Sequence, residues 1–298
     1  MQQYFEGRTY IQHPLSEFRS NTKEENKIIA NERIDGEWSS ERFIINNSTF
    51  AKMGFKGAKF NSDDMKFNVF IDCYFKKAEF NNVDFSGSIF INCNFDEVTI
   101  INCIFEYCKF ENCIIEYKYM KESLSLRPNI RWELCRNLSL ECLKLGDEYN
   151  YRKYFFEEKR SSESYYWKKF WHKGNEPYYK KYNWVDQCSG LANYVLSKLN
   201  KVLWGYGERI SRLIINILIV HCFFVISYMC CVRELTENIE MSLPIAIYIS
   251  MCNFFTITCD YNSVELSYKI LSVVEGGFGI LLTGFFGAAL FRYINRRG

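Results

Sequence analysis

A chain of 298 residues, 48% hydrophobic and 18% aromatic, has material for about two domains, and its net charge of +2 excludes a bulk bias towards nucleic acid or acidic partners. Thirteen cysteines would suit a disulfide scaffold, but the opening stretch MQQYFEGRTYIQHPLSEFRS has charges and a proline where a secretory signal has its apolar core, so reduced thiols are expected. No cysteines stand at Cys-x-x-Cys spacing and only three histidines are available, so neither a metal nor a cofactor is expected.

Residues 1–45 are read as an N-terminal segment or cap. From 46 to 117 the sequence repeats every five residues. Every fifth position from Phe50 gives Phe55, Phe60, Met65, Phe70, Phe75, Phe80, Phe85, Phe90, Phe95, Ile100, Phe105, Phe110 and Ile115. Two residues before most of these stands a small side chain, such as Ala78, Ser88, Cys73, Cys93, Cys103, Cys108 or Cys113, while Met53, Asp63 and Asn68 break the rule. A period of five fits neither a helix nor a strand, so the chain must turn a corner every five residues to bring each Phe back inside.

In this phase residues 46–120 resemble the pentapeptide-repeat proteins, which implies a right-handed quadrilateral β-helix with the central Phe inside. Four units per coil give about three and a half coils at the sheet spacing. Residues twenty apart then stack, so Cys73, Cys93 and Cys113 form a ladder of small buried apolar side chains. Some pentapeptide-repeat proteins mimic DNA through an acidic surface. Residues 41–120 carry eleven acidic and nine basic side chains, too even a balance for that role, and a spacer or docking surface fits better.

Residues 121–203 read as helical. Leu138, Leu140, Leu143, Leu145, Tyr149, Tyr154 and Phe155 recur at mixed helical spacings, broken near Gly146. In SYYWKKFWHKGNEPYYKKYNW, residues 164–184, aromatics interleave with lysines. Three readings fit: stacking on single-stranded nucleic acid, lying along a membrane surface, or packing between helices and subunits. The apolar segments that follow favour the second.

Residues 213–232, LIINILIVHCFFVISYMCCV, carry no formal charge with His221 neutral, and are long enough to cross a bilayer. His221 is either a proton sensor or a hydrogen-bonding group within a bundle. A second span is expected over 270–291. Between them LPIAIYISMCNFFTIT, within a pore segment over 243–260, is too short to cross and suits a re-entrant segment. Arg209 and Arg212 precede the first span, Arg292, Arg296 and Arg297 follow the second, and RELTENIE between them has one Arg against three Glu, so both termini are expected in the cytoplasm.

Residues 204–298, with WGYGERISRLI before the first span and KILSVVEGGFGILLTGFFGAALFRY in the second, resemble the two-transmembrane potassium-channel-like pore module found fused to bacterial pentapeptide repeats. The resemblance implies a homotetramer in the bacterial inner membrane that passes monovalent cations. In that family the filter reads Thr-Val-Gly-Tyr-Gly-Asp, with the aspartate usually nine residues before a lysine. Asp260 stands nine before Lys269, which sets Phe255, Thr256, Ile257, Thr258 and Cys259 against the filter and leaves no glycine in it. Sliding by one puts Thr256 and Ile257 at Thr-Val, but Thr258 and Asp260 still occupy the glycine places.

β-Branched residues resist the backbone a four-carbonyl filter needs, so the expectation is a wider, weakly selective mouth lined by Thr256, Ile257, Thr258, Cys259 and Asp260, with Glu265 as an outer acidic ring. Asp260 has a plainer reading, as a turn cap or a partner to a neighbouring side chain. Glu275 either bonds behind the filter or faces the ion path, and Gly276, Gly277, Gly279, Gly284 and Gly287 either allow close packing or bend as a gate.

The chain therefore reads as a multidomain β plus α membrane protein: a β-helix, a helical juxtamembrane region and a two-transmembrane re-entrant module over 204–298. The function expected is a cation channel gated by an unknown cytoplasmic ligand or protein. No nucleophile, base and orienting group come together for an enzyme. A membrane-depolarising effector in stress or phage defence and a non-conducting membrane-anchored scaffold are the alternatives.

Overall fold

A four-sided coil needs a corner every five residues, and the chain makes each corner with a residue in the left-handed region. In the computed structural model, which describes residues 4–11, 14–18, 20–34, 36, 38–171, 181–232, 235, 239–263 and 265–295, every fifth residue from Arg42 to Asn112 has φ between 50° and 73°. Asn47, Asn82, Asn92, Asn102 and Asn112 are of the type that best tolerates this conformation, and Gly57 and Gly87 carry no Cβ to resist it. Phe67 and Tyr107 adopt it too, and the Phe67 N–H is held by the Ser86 carbonyl of the next coil at 3.0 Å.

Between corners run short strands: β1 (Thr9–Tyr10), β2 (Lys23–Glu25), β3 (Lys27–Ala30), β4 (Ile44–Asn46), β5 (Thr49–Ala51), β6 (Lys59–Asn61), β7 (Val69–Ile71), β8 (Glu79–Asn81), β9 (Ile89–Ile91), β10 (Thr99–Ile101) and β11 (Lys109–Glu111). They form parallel ladders in the orders β1-β3-β5-β7-β9-β11, β10-β8-β6 and β2-β4. Residues twenty apart pair, as in Phe50 with Phe70 and Phe70 with Phe90.

Three and a half coils is an underestimate, because the parallel pairing reaches back to Thr9 and gives about five turns. The early coils hide because their phase differs. Corners at Asn21, Asn26, Asn31 and Gly36 are followed by Arg42, six residues on instead of five, and Ile29 rather than Phe pairs with Phe50.

Phe70, Phe75, Phe80, Phe85, Phe90, Phe95, Phe105 and Phe110 are all buried, each contributing about 2–3 kcal/mol. Rings twenty apart stack, with centroids 4.7 Å apart for Phe50–Phe70 and 4.8 Å for Phe70–Phe90. Rings five apart meet edge to face, as do Phe80 and Phe85 at 5.4 Å and 81°. Except for Phe105, which meets Phe110 at a 45° tilt, each of these eight rings thus has both favoured aromatic geometries at once.

The side chains two residues earlier do more than fill space. Cys73, Cys93, Cys103 and Cys113 each donate a thiol hydrogen bond to the carbonyl of the central residue one coil below, at 3.3–3.5 Å, and Ser88 does the same at 2.9 Å. Burial pushes the Cys103 thiol up to about 11, which keeps it a donor. Met53, Asp63 and Asn68 are buried at the same position, so the column accepts larger and polar residues.

Asp63 makes a stability switch there. Phe43 donates its N–H to Oδ1 at 2.7 Å and Ser40 donates its hydroxyl to Oδ2, yet burial outweighs both and raises the carboxyl from 3.8 to about 6. A raised value means the folded state prefers the proton. Stability from this site is present in full below about pH 4 and is lost as pH rises through 6, by about 3 kcal/mol. Denaturant unfolding of the full chain should find Asp63→Asn close to wild type at pH 4 and clearly more stable at pH 7. A gap of equal size at both pH values would sink this account.

By contacts the chain divides into two units, Met1–Leu191 and Ala192–Gly298. In the first, α1 (Tyr117–Met120), α2 (Pro128–Lys144) and α3 (Glu148–Phe170) follow the last strand. Asn137 of α2 accepts from the Phe110 amide at 2.8 Å and donates to its carbonyl at 3.0 Å, closing the open edge of β11. Gly146, at φ 79°, ends α2, and Asp147 caps α3 through the Asn150 amide. Leu138, Tyr154 and Phe155 are buried, whereas Leu140, Leu143, Leu145 and Tyr149 are exposed.

After α4 (Trp184–Trp204) come α5 (Ile210–Cys231), α6 (Leu243–Phe254) and α7 (Leu266–Asn295), packed on one another. Ile210–Cys231 and Leu266–Phe291 are long and apolar enough to cross a membrane. The lysine-aromatic residues 172–180, most of the loop after Val232, Arg296 and Arg297 lie outside the described residues, as does the side chain of Arg292.

Candidate functional site

The expected filter stretch begins where α6 stops. α6 has twelve residues, about 18 Å of helix, and Pro244 lies within its first two positions, where a missing N–H costs nothing. It ends in a paired turn: Thr256 N–H bonds the Asn253 carbonyl at 3.1 Å and Ile257 N–H bonds that of Cys252 at 2.8 Å. The left-handed position of this turn usually takes Gly, but here it holds Thr256 at φ 55°, a strained place for a β-branched residue.

Phe255, Thr256, Ile257 and Thr258 are exposed within the chain, Ile257 by 61%. Cys259 is half-buried against the cluster of Phe224, Tyr228, Ala246 and Tyr268. Asp260 is exposed and accepts a hydrogen bond from Tyr248 OH of α6 at 3.2 Å. Glu265 immediately precedes α7, where it accepts from Ser267 Oγ at 3.0 Å.

Behind this stretch lies a polar knot contributed by all three helices. Glu275 of α7 is fully buried. Tyr228 of α5 donates to its Oε2 at 2.9 Å, and Ser250 of α6 donates to its Oε1. Since Ser250 spends its one proton on Glu275, it accepts from His221, whose Nδ1 lies 2.9 Å away and therefore carries the imidazole proton. Asn253 donates to both Tyr228 OH and Ser272 Oγ, each at 2.9 Å. A buried carboxyl is tolerable here because both oxygens have donors.

The glycines separate into two groups. A Cβ on Gly279 would stand 1.9 Å from the Phe254 carbonyl oxygen and one on Gly276 3.4 Å from that of Asn253, so α7 crosses the end of α6 nearly backbone to backbone. Gly277, Gly284 and Gly287 have nothing within 4 Å of such a Cβ.

Sequence reasoning singled out Glu275 and Asp260 but missed Tyr228, Ser250, Asn253, Ser272 and Tyr248. A signal was available: Ser250 and Asn253, and again Ser272 and Glu275, stand three apart on one face of an apolar helix. Among the described residues no three His, Cys, Asp or Glu side chains gather to hold a metal.

The family model for pentapeptide repeats matches residues 70–116, with eight copies. This part of the chain is a pentapeptide-repeat β-solenoid. No curated protein matches the chain. The pentapeptide-repeat match ends at Glu116, before α1.

Proposed function

We propose that the protein is an oligomeric cation channel of the bacterial inner membrane, four copies enclosing one weakly selective pore. Its pentapeptide-repeat solenoid and both termini lie in the cytoplasm, where a ligand or protein partner sets the gate. One observation carries this reading: an apolar half-helix ends in a strained turn, and the exposed residues 255–258 that follow are braced by a polar knot between two long apolar helices. Irregular backbone at bilayer depth is stable only inside protein or along water, and a pore supplies both. Two spans cannot enclose a pore alone, so further copies complete it, and the open faces of Gly277, Gly284 and Gly287 suit their close approach.

In this reading Thr256, Thr258 and Cys259 line the mouth and Asp260, braced by Tyr248, forms a fourfold acidic ring. Such a ring favours cations by its local field without stripping the ion of water. The test is ion flux and single-channel current from purified protein in liposomes under potassium, sodium and chloride gradients. Cation current that barely separates sodium from potassium is expected, with cation-over-anion preference falling severalfold in Asp260→Asn. Strong potassium selectivity, or a current that favours anions, defeats the proposal.

A further inference from the structure

The last three turns of α4 carry an apolar face that no described residue of their own unit covers. Ala192, Val195, Leu196, Leu199, Val202 and Leu203 recur at helical spacing on one side, while Asn193, Ser197, Asn200 and Lys201 lie on the other. Val195, Leu196, Leu199 and Val202 are exposed by 45%, 57%, 51% and 61%. A soluble helix would hide such a stripe.

The end of this helix is fixed in place. Gly205, Tyr206 and Gly207 turn the chain at φ 60°, 61° and 82°, so α4 does not run straight on into α5. Asn216 of α5 donates to the carbonyls of Val202 and Leu203 at 2.9 Å, and Arg212 donates to that of Lys201 at 2.9 Å. The carbonyls of Val202 and Leu203 are of the kind a helix leaves open at its end, and here Asn216 satisfies both, while Arg212 adds a second donor to that of Lys201, which also takes the Gly205 N–H. The Trp204 ring rests on Phe285 of α7 with centroids 5.1 Å apart. The apolar stripe is thereby pinned to the level at which the long apolar helix α5 starts.

We propose that residues 192–204 lie on the membrane surface, with Val195, Leu196, Leu199 and Val202 in the acyl boundary and the flanking cations against anionic headgroups. The inference rests on reading α5 and α7 as membrane-spanning. Continuity with α5 brings the helix to the bilayer edge, and charge selects the occupant: residues 192–212 carry Lys198, Lys201, Arg209 and Arg212 against Glu208 alone. A second copy of the same basic helix would be repelled, whereas anionic lipid is attracted. Trp204 and Tyr206 sit where amphipathic rings prefer to be, at headgroup depth.

The test uses the full chain in phosphatidylcholine vesicles with and without phosphatidylglycerol, each containing a phospholipid with a photoactivatable diazirine in its acyl chain. Adducts are mapped by mass spectrometry. The expected result is labelling of α5, α7 and residues 195–202, with the α4 labelling severalfold stronger when phosphatidylglycerol is present. The paired substitution Leu196→Gln and Leu199→Gln should lower α4 labelling by about tenfold and leave α5 labelling unchanged. Adducts on α5 and α7 with none on α4 overturn the inference and spare the membrane reading, whereas unlabelled α5 and α7 overturn that reading itself. Equal α4 labelling in both lipids overturns the role of anionic headgroups.

Discussion

Glu275→Ala should cost the full chain about 3 kcal/mol of stability and abolish any current, while Glu275→Gln should cost less than half as much. The alanine removes the acceptor of both Tyr228 and Ser250, two buried hydroxyls on two different helices. Glutamine keeps one oxygen for one donor and confronts the other with an N–H, so one hydroxyl must turn away. Each hydroxyl retains a second partner, Asn253 for Tyr228 and His221 for Ser250, which holds the penalty below that of two orphaned groups.

Tyr228→Phe gives the companion measurement. It deletes one donor to Glu275 and one acceptor of Asn253, at about 1 kcal/mol. Combined with Ser250→Ala, it should cost more than the two single changes together, because the carboxyl then lies buried with neither donor. Unfolding in detergent, followed by circular dichroism, reads all of these. Strict additivity, or a Glu275→Ala variant as stable as wild type, would remove the knot as the brace for the turn at Thr256.

What the sequence makes legible follows what backbone geometry forces. A corner every five residues repeats because a four-sided coil has no other way to close, and the Phe column announces it. The corner column is half visible: asparagine at 82, 92, 102 and 112 suggests left-handed backbone, but Lys52, Lys77 and Glu97 adopt it with no such hint. The first coils escape notice because one added residue between Gly36 and Arg42 shifts their phase and isoleucine replaces phenylalanine inside.

In the helical part, length and hydropathy reveal α5, α6 and α7, but not what joins them. The knot draws two polar residues from each of three helices, and nothing local in any one helix says that Tyr228, Ser250 and Glu275 meet. The thiol donors of the solenoid escape for the opposite reason. A cysteine in an apolar column looks like filler until the carbonyl one coil below is placed beside it.

Gly279→Ala should be the most damaging of the glycine substitutions in α7, and Gly284→Ala among the mildest, although the two look equivalent in sequence. At 279 the new methyl would lie 1.9 Å from the Phe254 carbonyl oxygen and 2.7 Å from its carbon, both backbone atoms that no rotamer can move aside. The gain in helix propensity from replacing glycine, about 1 kcal/mol, is outweighed by the overpacking, at about 3 kcal/mol or more. To relieve it α7 must back away from the end of α6, which carries Thr256 and the exposed stretch beyond it, so current and stability should fall together. At 284 nothing lies within 4 Å, and within one chain the propensity gain should stand alone. A Gly284→Ala protein that folds as well as wild type but changes its oligomer on size-exclusion chromatography or its current would place that face against another copy. A Gly279→Ala protein with wild-type unfolding and current would show that α6 and α7 are not held at backbone contact, and would take with it the bracing of the stretch after α6 by α7.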